Sequence, residues 1–357
     1  MPATVYMPHR RAQRGLTLVE AMVSITIGLI VVGALTYLFV GARTTYRVND
    51  ELARVQEAGR FALDYIAQDL RMTSFAGCRS RSLGPDNFLN VTRPAVAFNG
   101  SGDGIVGFED GNGWTNSTGV ARAAGDVIVV RRAVGLVVRV LGNSDPVARR
   151  VTIEHNAMRL SNGDLALVAD CQRALLFRVT NNPPPTGVGH FPTVLEYAEL
   201  GAGPGGTDGN LAVISGPIGN EAFREDARAQ AMRLVETAYF VGTNAAGRRA
   251  LYRAVGSTAE ELVDGIEDIE ILYGVDTDLD GIANAYQRAD AVADWSHVVA
   301  VRVSLLAVGT DATVATAAQT FALRDTSGDG IVDAQTAPDR RLRQVFTTTV
   351  ALRNRML

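Results

Sequence analysis

The hydrophobic pattern changes twice along the chain, and each part predicts a different kind of element. Residues 16–40 are 25 residues dominated by apolar side chains, with Glu20 as the one charged residue. A helix of this length would span about 37 Å, enough to cross a hydrocarbon core of about 30 Å. Residues 1–15 are short and basic, and the positive-inside rule keeps such a segment in the cytoplasm. We therefore expect a single-pass membrane anchor, with everything after Val40 on the far side.

Through residues 41–73 apolar side chains recur at steps of three and four residues, which predicts an amphipathic continuation of the helix. The predicted apolar face comprises Val48, Leu52, Val55, Ala58, Ala62, Ile66 and Leu70. The predicted charged face comprises Arg54, Glu57, Arg60, Asp64 and Asp69. A soluble amphipathic helix needs a partner for its apolar face, so this half of the helix is expected to pack on a folded head.

Residues 74–357 alternate between turn-rich stretches and short segments that are typical of strands. Turn formers dominate residues 98–119 and 201–220. The predicted strands are 126–134, 136–141, 174–180, 234–242, 249–255, 297–308 and 344–353. Turn signals between such segments favour an antiparallel sheet. The predicted fold class is therefore α+β, with a long N-terminal helix packed on a mainly antiparallel β-sheet head.

Composition and charge narrow the function classes. The chain has 357 residues and a formal net charge of −4, and removal of Arg10, Arg11 and Arg14 with residues 1–15 would lower this by three, to −7. An acidic body disfavours bulk binding to nucleic acid, which requires a basic field over the phosphates. The sequence has no GxSxG, no P-loop and no HExxH motif, and its four histidines show no metal-ligand spacing. We expect neither a nucleic-acid partner nor an enzyme.

The two cysteines, Cys78 and Cys171, both follow the predicted anchor, and neither lies in a CxxC motif. A sparse, even pair beyond a membrane segment favours one disulfide in an oxidising compartment. The alternative is a pair of buried free thiols.

The stretch Asp276-Thr-Asp278-Leu-Asp280-Gly281 resembles the first half of an EF-hand calcium loop. Alternate carboxylates would face the ion, and the glycine would allow the sharp turn around it. Gln287 occupies the twelfth position, where a bidentate Glu is usual, so a site here would be partial. Asp276, Asp278 and Asp280 are thus candidate calcium ligands. The alternative is a polar turn, because Asp and Gly are ordinary turn formers.

Glu20 is the most unusual residue of the anchor. A carboxylate at membrane depth costs on the order of 3 kcal/mol unless a partner relieves it. A cleaved secretory signal would have a shorter apolar region of about 7–15 residues. A plain anchor would leave Glu20 unexplained, unless its side chain merely snorkels to the headgroups.

The segment Arg14-Gly15-Leu16-Thr17-Leu18-Val19-Glu20 resembles the class III signal of type IV pilins and type II secretion pseudopilins. The resemblance implies that a prepilin peptidase cuts the leader, residues 1–15, between Gly15 and Leu16. It also implies that Leu16 becomes the N-methylated first residue. The sequence departs from the family in having Leu16 where Phe is usual, and processing is expected to tolerate this apolar replacement.

The same resemblance gives Glu20 a partner. The new amine of Leu16 lies one helical turn away, on the same or on a neighbouring subunit, and pairing would neutralise both charges and fix the axial register of the helices. Pairs of this kind contribute specificity more surely than stability. Ser24 and Gly28 have small-xxx-small spacing, which permits close packing between membrane helices.

Segments at the end of the helix and in the head narrow the resemblance to PilW-type minor pilins. They are Glu57–Leu63, Asp69–Arg71, Ala76–Cys78, Asp170–Cys171 before residues 174–180, and residues 249–278. The resemblance implies a non-catalytic subunit that primes a type IV pilus or sits at its tip, in twitching motility and adhesion.

The partners implied by the resemblance are other minor pilins, the major pilin, the prepilin peptidase and a large tip adhesin. The implied location is the inner membrane with a periplasmic head, and then the pilus on the cell surface. One alternative is a minor pseudopilin of type II secretion. Another, from a different class, is a membrane-anchored periplasmic binding or enzymatic domain.

Overall fold

The computed structural model describes residues 17–77, 88–90, 92–93, 104–185, 191–198, 209–210, 223, 228–325 and 332–355. Its longest element is the helix α1, Leu18–Arg71, of 54 residues. Thr17 caps the N-terminus, because its side chain accepts a hydrogen bond from the backbone N–H of Glu20. At the other end, the N–H of Met72 donates to the carbonyls of Asp69 and Leu70.

Eighteen strands are described. The first nine are β1 (Phe88–Asn90), β2 (Thr92–Arg93), β3 (Ile105–Phe108), β4 (Arg122–Arg139), β5 (Arg150–Ile153), β6 (Leu165–Ala169), β7 (Ala174–Arg178), β8 (Thr193–Glu196) and β9 (Gly209–Asn210). The others are β10 (Gln230–Thr243), β11 (Arg249–Val255), β12 (Thr258–Asp264), β13 (Ile266–Val275), β14 (Ala285–Gln287), β15 (Val298–Val308), β16 (Thr320–Ala322), β17 (Ala334–Thr336) and β18 (Arg343–Ala351). Short 3₁₀ helices lie at Glu109–Gly111, Ala289–Ala291, Trp295–His297 and Arg353–Arg355.

The larger of the two main sheets is organised around β10. One edge of β10 pairs with β4, which also pairs with β3. The other edge pairs with β6 over Gln230–Leu234 and with β11 over Thr237–Thr243. From there the sheet continues through β7 to β1 at one end and to β12 at the other. Among the described strands, β1 and β7 form the one parallel pair.

The smaller sheet has the order β14-β13-β15-β18 and is antiparallel throughout. The second half of α1 packs on β18 and β15. Apolar side chains from this half of α1 and from both main sheets form a single core. Its members include Val55, Ile66, Ile128, Tyr239 and Val303, each with at most 1% of its surface exposed. The helix is thus part of the head from about Glu51 onward.

These observations confirm the predicted α+β class with a mainly antiparallel head. Two predicted strands, 126–134 and 136–141, form the single strand β4, and Gly135 between them adopts a φ of +82°. The pairing of β4 with β10 shifts register close to this glycine. Gly135 adopts this conformation without strain, so a β-bulge at this point lets one strand continue through it. The sequence pattern had instead predicted a break between two strands.

The prediction that Asp69 lies on the charged outer face of α1 was wrong. Asp69 is 6% exposed and lies on the buried face, close to Ile66 and Leu70. The other four residues of the predicted charged face, Arg54, Glu57, Arg60 and Asp64, are exposed.

Candidate functional site: the N-terminal helix and its junction with the head

The first half of α1 projects away from the head. Its 18-residue apolar window has a mean hydropathy of 2.3, and none of it is buried. All of its large apolar side chains, from Leu18 to Val40, are exposed. The hydroxyls of Thr26 and Thr36 each donate at 2.8 Å to a backbone carbonyl one turn earlier, so they present little unsatisfied polarity. The whole circumference of this segment can therefore meet lipid or other helices.

The residues predicted to direct processing and assembly lie at the tip of this segment. Gly15 and Leu16 lie outside the described residues, so cleavage and methylation stay predictions. Glu20 is exposed in the first helical turn, and its N–H donates to Thr17 Oγ1 at 3.3 Å. Ser24 and Gly28 are also exposed, and a Cβ at Gly28 would meet nothing within 4 Å. This leaves space for close approach by another helix.

Glu51 attaches α1 to the loop that follows β15. The residue is buried, and its two carboxylate oxygens accept hydrogen bonds from the N–H and the hydroxyl of Thr310, both at 2.8 Å. Gly309 makes room for this contact, because a Cβ there would overlap the Glu51 carboxylate. One turn earlier, Arg47 forms an ion pair with Asp311. The helix thus enters the head through a fixed polar contact.

Gly59 allows α1 to approach β18 closely. The aromatic ring of Phe346 occupies the position that a Cβ at Gly59 would take. Such a contact requires glycine, since no side chain, however small, would fit between the helix backbone and the ring.

Asp69 attaches the last turn of α1 to the larger sheet. Its carboxylate accepts hydrogen bonds from Arg132 of β4 at 2.5 Å and from the Tyr239 hydroxyl of β10 at 2.8 Å. Burial, together with the charge of Asp69, raises the pKa of Tyr239 well above its usual value. The Tyr239 hydroxyl therefore keeps its proton and remains a donor. Asp69 is a buried charge with a matched set of partners.

Sequence reasoning missed Glu51, Gly59 and Asp69 as contacts between helix and head. Glu51 precedes Val55 by four residues and Asp69 follows Ile66 by three, so both carboxylates interrupt the predicted apolar face. Charged residues at helical spacing on an apolar face were the available signal.

The candidate calcium loop joins β13 to β14. Carboxylate oxygens of Asp276, Asp278 and Asp280 lie within 4.8 Å of one another. Asp276 is buried and accepts hydrogen bonds from the N–H groups of Leu279 and Gly281 at 2.7 and 2.9 Å. Desolvation raises the pKa of Asp276, but the hydrogen bonds of the carboxylate within the loop together outweigh it, and its pKa lies below the usual value. The loop is thus held by its own backbone, and calcium here stays a prediction.

Cys171 lies in the exposed turn between β6 and β7 and is disulfide-bonded. Its predicted partner, Cys78, lies outside the described residues, so the pairing itself stays a prediction. The preceding Asp170 shapes the turn by accepting hydrogen bonds from the N–H groups of Gln172 and Arg173, both at 2.8 Å.

Two parts of the chain match known families. Residues 10–36 match the prokaryotic N-terminal methylation motif, and residues 238–354 match the type IV pilus-assembly protein W family. No curated protein matches the chain. Among solved structures, a type IV-like pilin from Thermus thermophilus is similar at 15% identity over 55% of this chain and 87% of its own, with a TM-score of 0.23.

The two family matches confirm the resemblance to PilW-like type IV minor pilins with a class III signal. The second match includes β15 and β18, on which α1 packs. One match therefore covers the apolar half of α1, and the other covers strands on which the second half of α1 packs.

Proposed function

We propose that this PilW-like chain is a minor pilin that primes a type IV pilus or sits at its tip. It acts without catalysis, by helix bundling and by contacts between heads. Its partners are other minor pilins and the major pilin, with a tip adhesin as a further partner, and a prepilin peptidase processes it. The prepilin is anchored in the inner membrane with its head in the periplasm. Its incorporation contributes to twitching motility and adhesion.

The observation that carries this proposal is the continuity of one helix from an exposed apolar segment into the head core. The apolar window is 0% buried, whereas Val55, Ala62 and Ile66 of the same helix are at most 1% exposed. Such a helix would transmit the position of its membrane half to the head without a flexible joint. A subunit extracted from the bilayer would need a new apolar partner for the exposed half, and a bundle of like helices provides one.

Glu20 has the assembly role in this proposal. A carboxylate on an otherwise apolar surface favours helices that bring an amine next to it, and a processed neighbour offers the amine of Leu16. Staggered neighbours would satisfy this pairing in one register only. The methylation-motif match over residues 10–36 supports processing of this kind.

The first test is mass spectrometry of the N-terminal peptide of protein purified from membranes of its native host. A peptide beginning at methylated Leu16 is the expected result. An intact leader through Gly15 in otherwise mature protein would contradict the pilin pathway and favour a plain anchor.

The second test is Glu20→Ala, scored by the amount of protein in membranes and in sheared filaments. We expect normal membrane levels and a strong loss from filaments, because the variant removes the partner of the neighbouring amine. Glu57→Ala is the matched control, since Glu57 is an exposed glutamate on the same helix but beyond its apolar half. Normal incorporation of Glu20→Ala would refute the role of Glu20.

A further inference from the structure

A second group of carboxylates, distinct from the predicted calcium loop, lies between the two main sheets. Glu109 follows β3, Asp126 lies on β4 and Glu270 lies on β13. One carboxylate oxygen from each lies within 4.8 Å of the other two. Asp126 and Glu270 are 1% and 5% exposed, and Glu109 is partly buried. The sheets thus converge on three carboxylates that water scarcely reaches.

Asp126 is held in place by backbone groups of both sides. Its two oxygens accept hydrogen bonds from the N–H of Asp110 at 2.9 Å and from the N–H of Ile271, on β13, at 2.8 Å. Gly125 adopts a φ of +72°, and a Cβ there would lie 2.6 Å from the carbonyl oxygen of Ile269. The glycine therefore lets β4 come close enough to β13 for Asp126 to bridge them.

Three oxygen atoms at this cluster are buried and have no hydrogen-bond partner among the described residues. They are Glu109 Oε2, Glu270 Oε2 and the hydroxyl oxygen of Tyr273. Arg324 Nη1 lies 3.4 Å from Glu270 Oε2, which makes an ion pair without a hydrogen bond. Buried oxygen atoms normally have a hydrogen-bond partner, and leaving one unpaired destabilises the fold. Three such atoms in one place require an explanation.

The Tyr273 hydroxyl is buried against Gly107, on the face of β3 and β4 that leads to Glu109 and Asp126. Tyr273 is fully buried, and its hydroxyl occupies the position that a Cβ at Gly107 would take. Gly107 of β3 lies opposite Ile128 of β4. Glu109 comes two residues after Gly107, and Asp126 comes two residues before Ile128. Both therefore share the face of the sheet at which Tyr273 meets Gly107. The charges of Asp126, Glu109 and Glu270 add to burial in raising the pKa of Tyr273, so its hydroxyl stays protonated.

The cluster carries an excess of negative charge. Five carboxylates, those of Glu109, Asp110, Asp126, Asp268 and Glu270, are accompanied by two arginines that pair with them, Arg288 and Arg324. Burial and the charge of Glu109 raise the pKa of Asp126 to about 7, although its two backbone hydrogen bonds and Arg324 oppose this. Burial and the charge of Asp126 raise the pKa of Glu270 to about 8. Two arginines are too few to pair with all five carboxylates.

We propose that Glu109, Asp126 and Glu270, with the hydroxyl of Tyr273, form a calcium site that joins the two main sheets of the head. Calcium takes six to eight oxygen ligands in irregular arrangements, and the carboxylates and the hydroxyl come from β4, β13 and the 3₁₀ turn after β3. Magnesium retains several of its waters and demands octahedral geometry, which a nearly dry cluster does not favour. One divalent ion would also offset two of the excess negative charges.

A cation here would stabilise the head rather than take part in chemistry. It would hold β4 of the larger sheet against β13 of the smaller one, and both sheets contribute to the core that receives α1. An ion that binds the folded head and not the unfolded chain raises the free energy of unfolding, and tighter binding raises it further. Calcium would thereby fix the two sheets around the helix.

The test uses the full-length protein in detergent micelles, treated with a chelator and then titrated with calcium chloride. Bound calcium is measured by isothermal titration calorimetry, and the unfolding temperature is followed by circular dichroism. Asp278→Ala removes one of the three carboxylates of the loop at 276–280, and this variant is the reference protein, so that a remaining ion can be assigned to the cluster. In this reference we expect one bound calcium ion and a higher unfolding temperature with calcium.

Glu109→Gln and Glu270→Gln, each added to the reference, preserve size and remove one charged ligand. We expect each to weaken calcium binding by at least about tenfold, since the loss of an outer-shell partner alone can cost this much. Glu109 is less buried than Glu270, so Glu109→Gln tests the proposal even where Glu270→Gln does not fold.

Absence of calcium binding in the Asp278→Ala reference would overturn the proposal. Unchanged binding in both glutamine variants would overturn it as well. A response to magnesium as large as that to calcium would overturn the assignment to calcium.

Discussion

Gly59 makes α1 and β18 approach each other more closely than any side chain on the helix would permit. In Gly59→Ala the new methyl group would collide with the Phe346 ring. Overpacking of this kind costs about 1–3 kcal/mol, more than alanine contributes to helix stability. We therefore expect Gly59→Ala to lower the free energy of unfolding of the head, measured by chemical denaturation in detergent.

Gly41→Ala is the matched control for Gly59→Ala. A Cβ at Gly41 would meet nothing within 4 Å, so this variant should leave head stability unchanged. Phe346→Leu in the Gly59→Ala background should recover part of the loss, because a smaller side chain leaves room for the methyl group. Strictly additive effects of the two changes would contradict the proposed contact.

Asp69 is the residue whose loss should damage the head most. Asp69→Ala would leave Arg132 without its anion and the Tyr239 hydroxyl without its acceptor. Removing one partner of a buried ion pair costs about 3–5 kcal/mol, and the lower end is expected because Arg132 is partly exposed. Asp64→Ala, an exposed aspartate on the same helix, should change stability by less than about 0.5 kcal/mol.

Tyr239→Phe separates the hydrogen bond at Asp69 from the ion pair. It should cost about 1.5 kcal/mol, the lower end for a hydrogen bond to a charged group, because Arg132 still pairs with Asp69. Equal losses for Asp69→Ala and Asp64→Ala, measured by urea denaturation, would contradict the account of the buried carboxylate.

At the scale of elements, the helix was predictable because its signals are local. The steps of three and four residues among Val55, Ala62 and Ile66 mark the face that is buried in the structure. The burial of Glu51 and Asp69 was not predictable in the same way, because their partners lie 259 and 63 residues further along the chain. Helical spacing reveals which residues share a face, but not which distant groups will neutralise a charge on it.

Two of the strands that the sequence did not predict are rich in carboxylates. β12 and β13 contain Glu260, Glu261, Glu267, Asp268 and Glu270, and neither was predicted as a strand. Acidic residues are depleted in strands, so the pattern of these segments gave only a weak signal. Their arginine partners explain why they are tolerated, since Glu260 pairs with Arg253 and Asp268 pairs with Arg324.

The sequence predicted the candidate residues of the N-terminal helix but not the carboxylate cluster of the head. Glu20, Ser24 and Gly28 could be located because the anchor and its signal form one continuous segment. The cluster of Glu109, Asp126 and Glu270 could not, since three separate segments meet only in the folded head.

The junction between α1 and the loop after β15 has a testable dynamic consequence. Glu51→Ala would remove the acceptor for both the N–H and the hydroxyl of Thr310. Backbone groups that lose such a partner open more often to solvent. We expect faster amide hydrogen exchange in residues 309–313, measured by mass spectrometry.

Glu57→Ala, on the exposed face of the same helix, should leave that exchange unchanged. Equal exchange in the Glu51 variant and the unmodified protein would show that the loop is held by other contacts.

One helix forms both the apolar N-terminal segment and part of the head. The N-terminal end of that helix does not pack on the head among the described residues. Glu20 and Asp69 are separated by about 70 Å along the helix axis at 1.5 Å per residue. Glu20 is exposed and its first turn makes no contact with the head among the described residues. Glu20→Ala should therefore abolish filament incorporation without changing the unfolding of the head, whereas Asp69→Ala should destabilise the head without changing cleavage of the leader.

The double variant provides the decisive comparison. Distant, independent sites usually add to within about 0.3–0.5 kcal/mol, so its free energy of unfolding should equal that of Asp69→Ala alone. Leader cleavage in the double variant, read from the N-terminal peptide, should match that of the unmodified protein, because the proposed cleavage site, Gly15–Leu16, is more than 50 residues from Asp69. A lower stability in Glu20→Ala, or an uncut leader in Asp69→Ala, would mean that the head and the anchor are coupled along the helix before assembly.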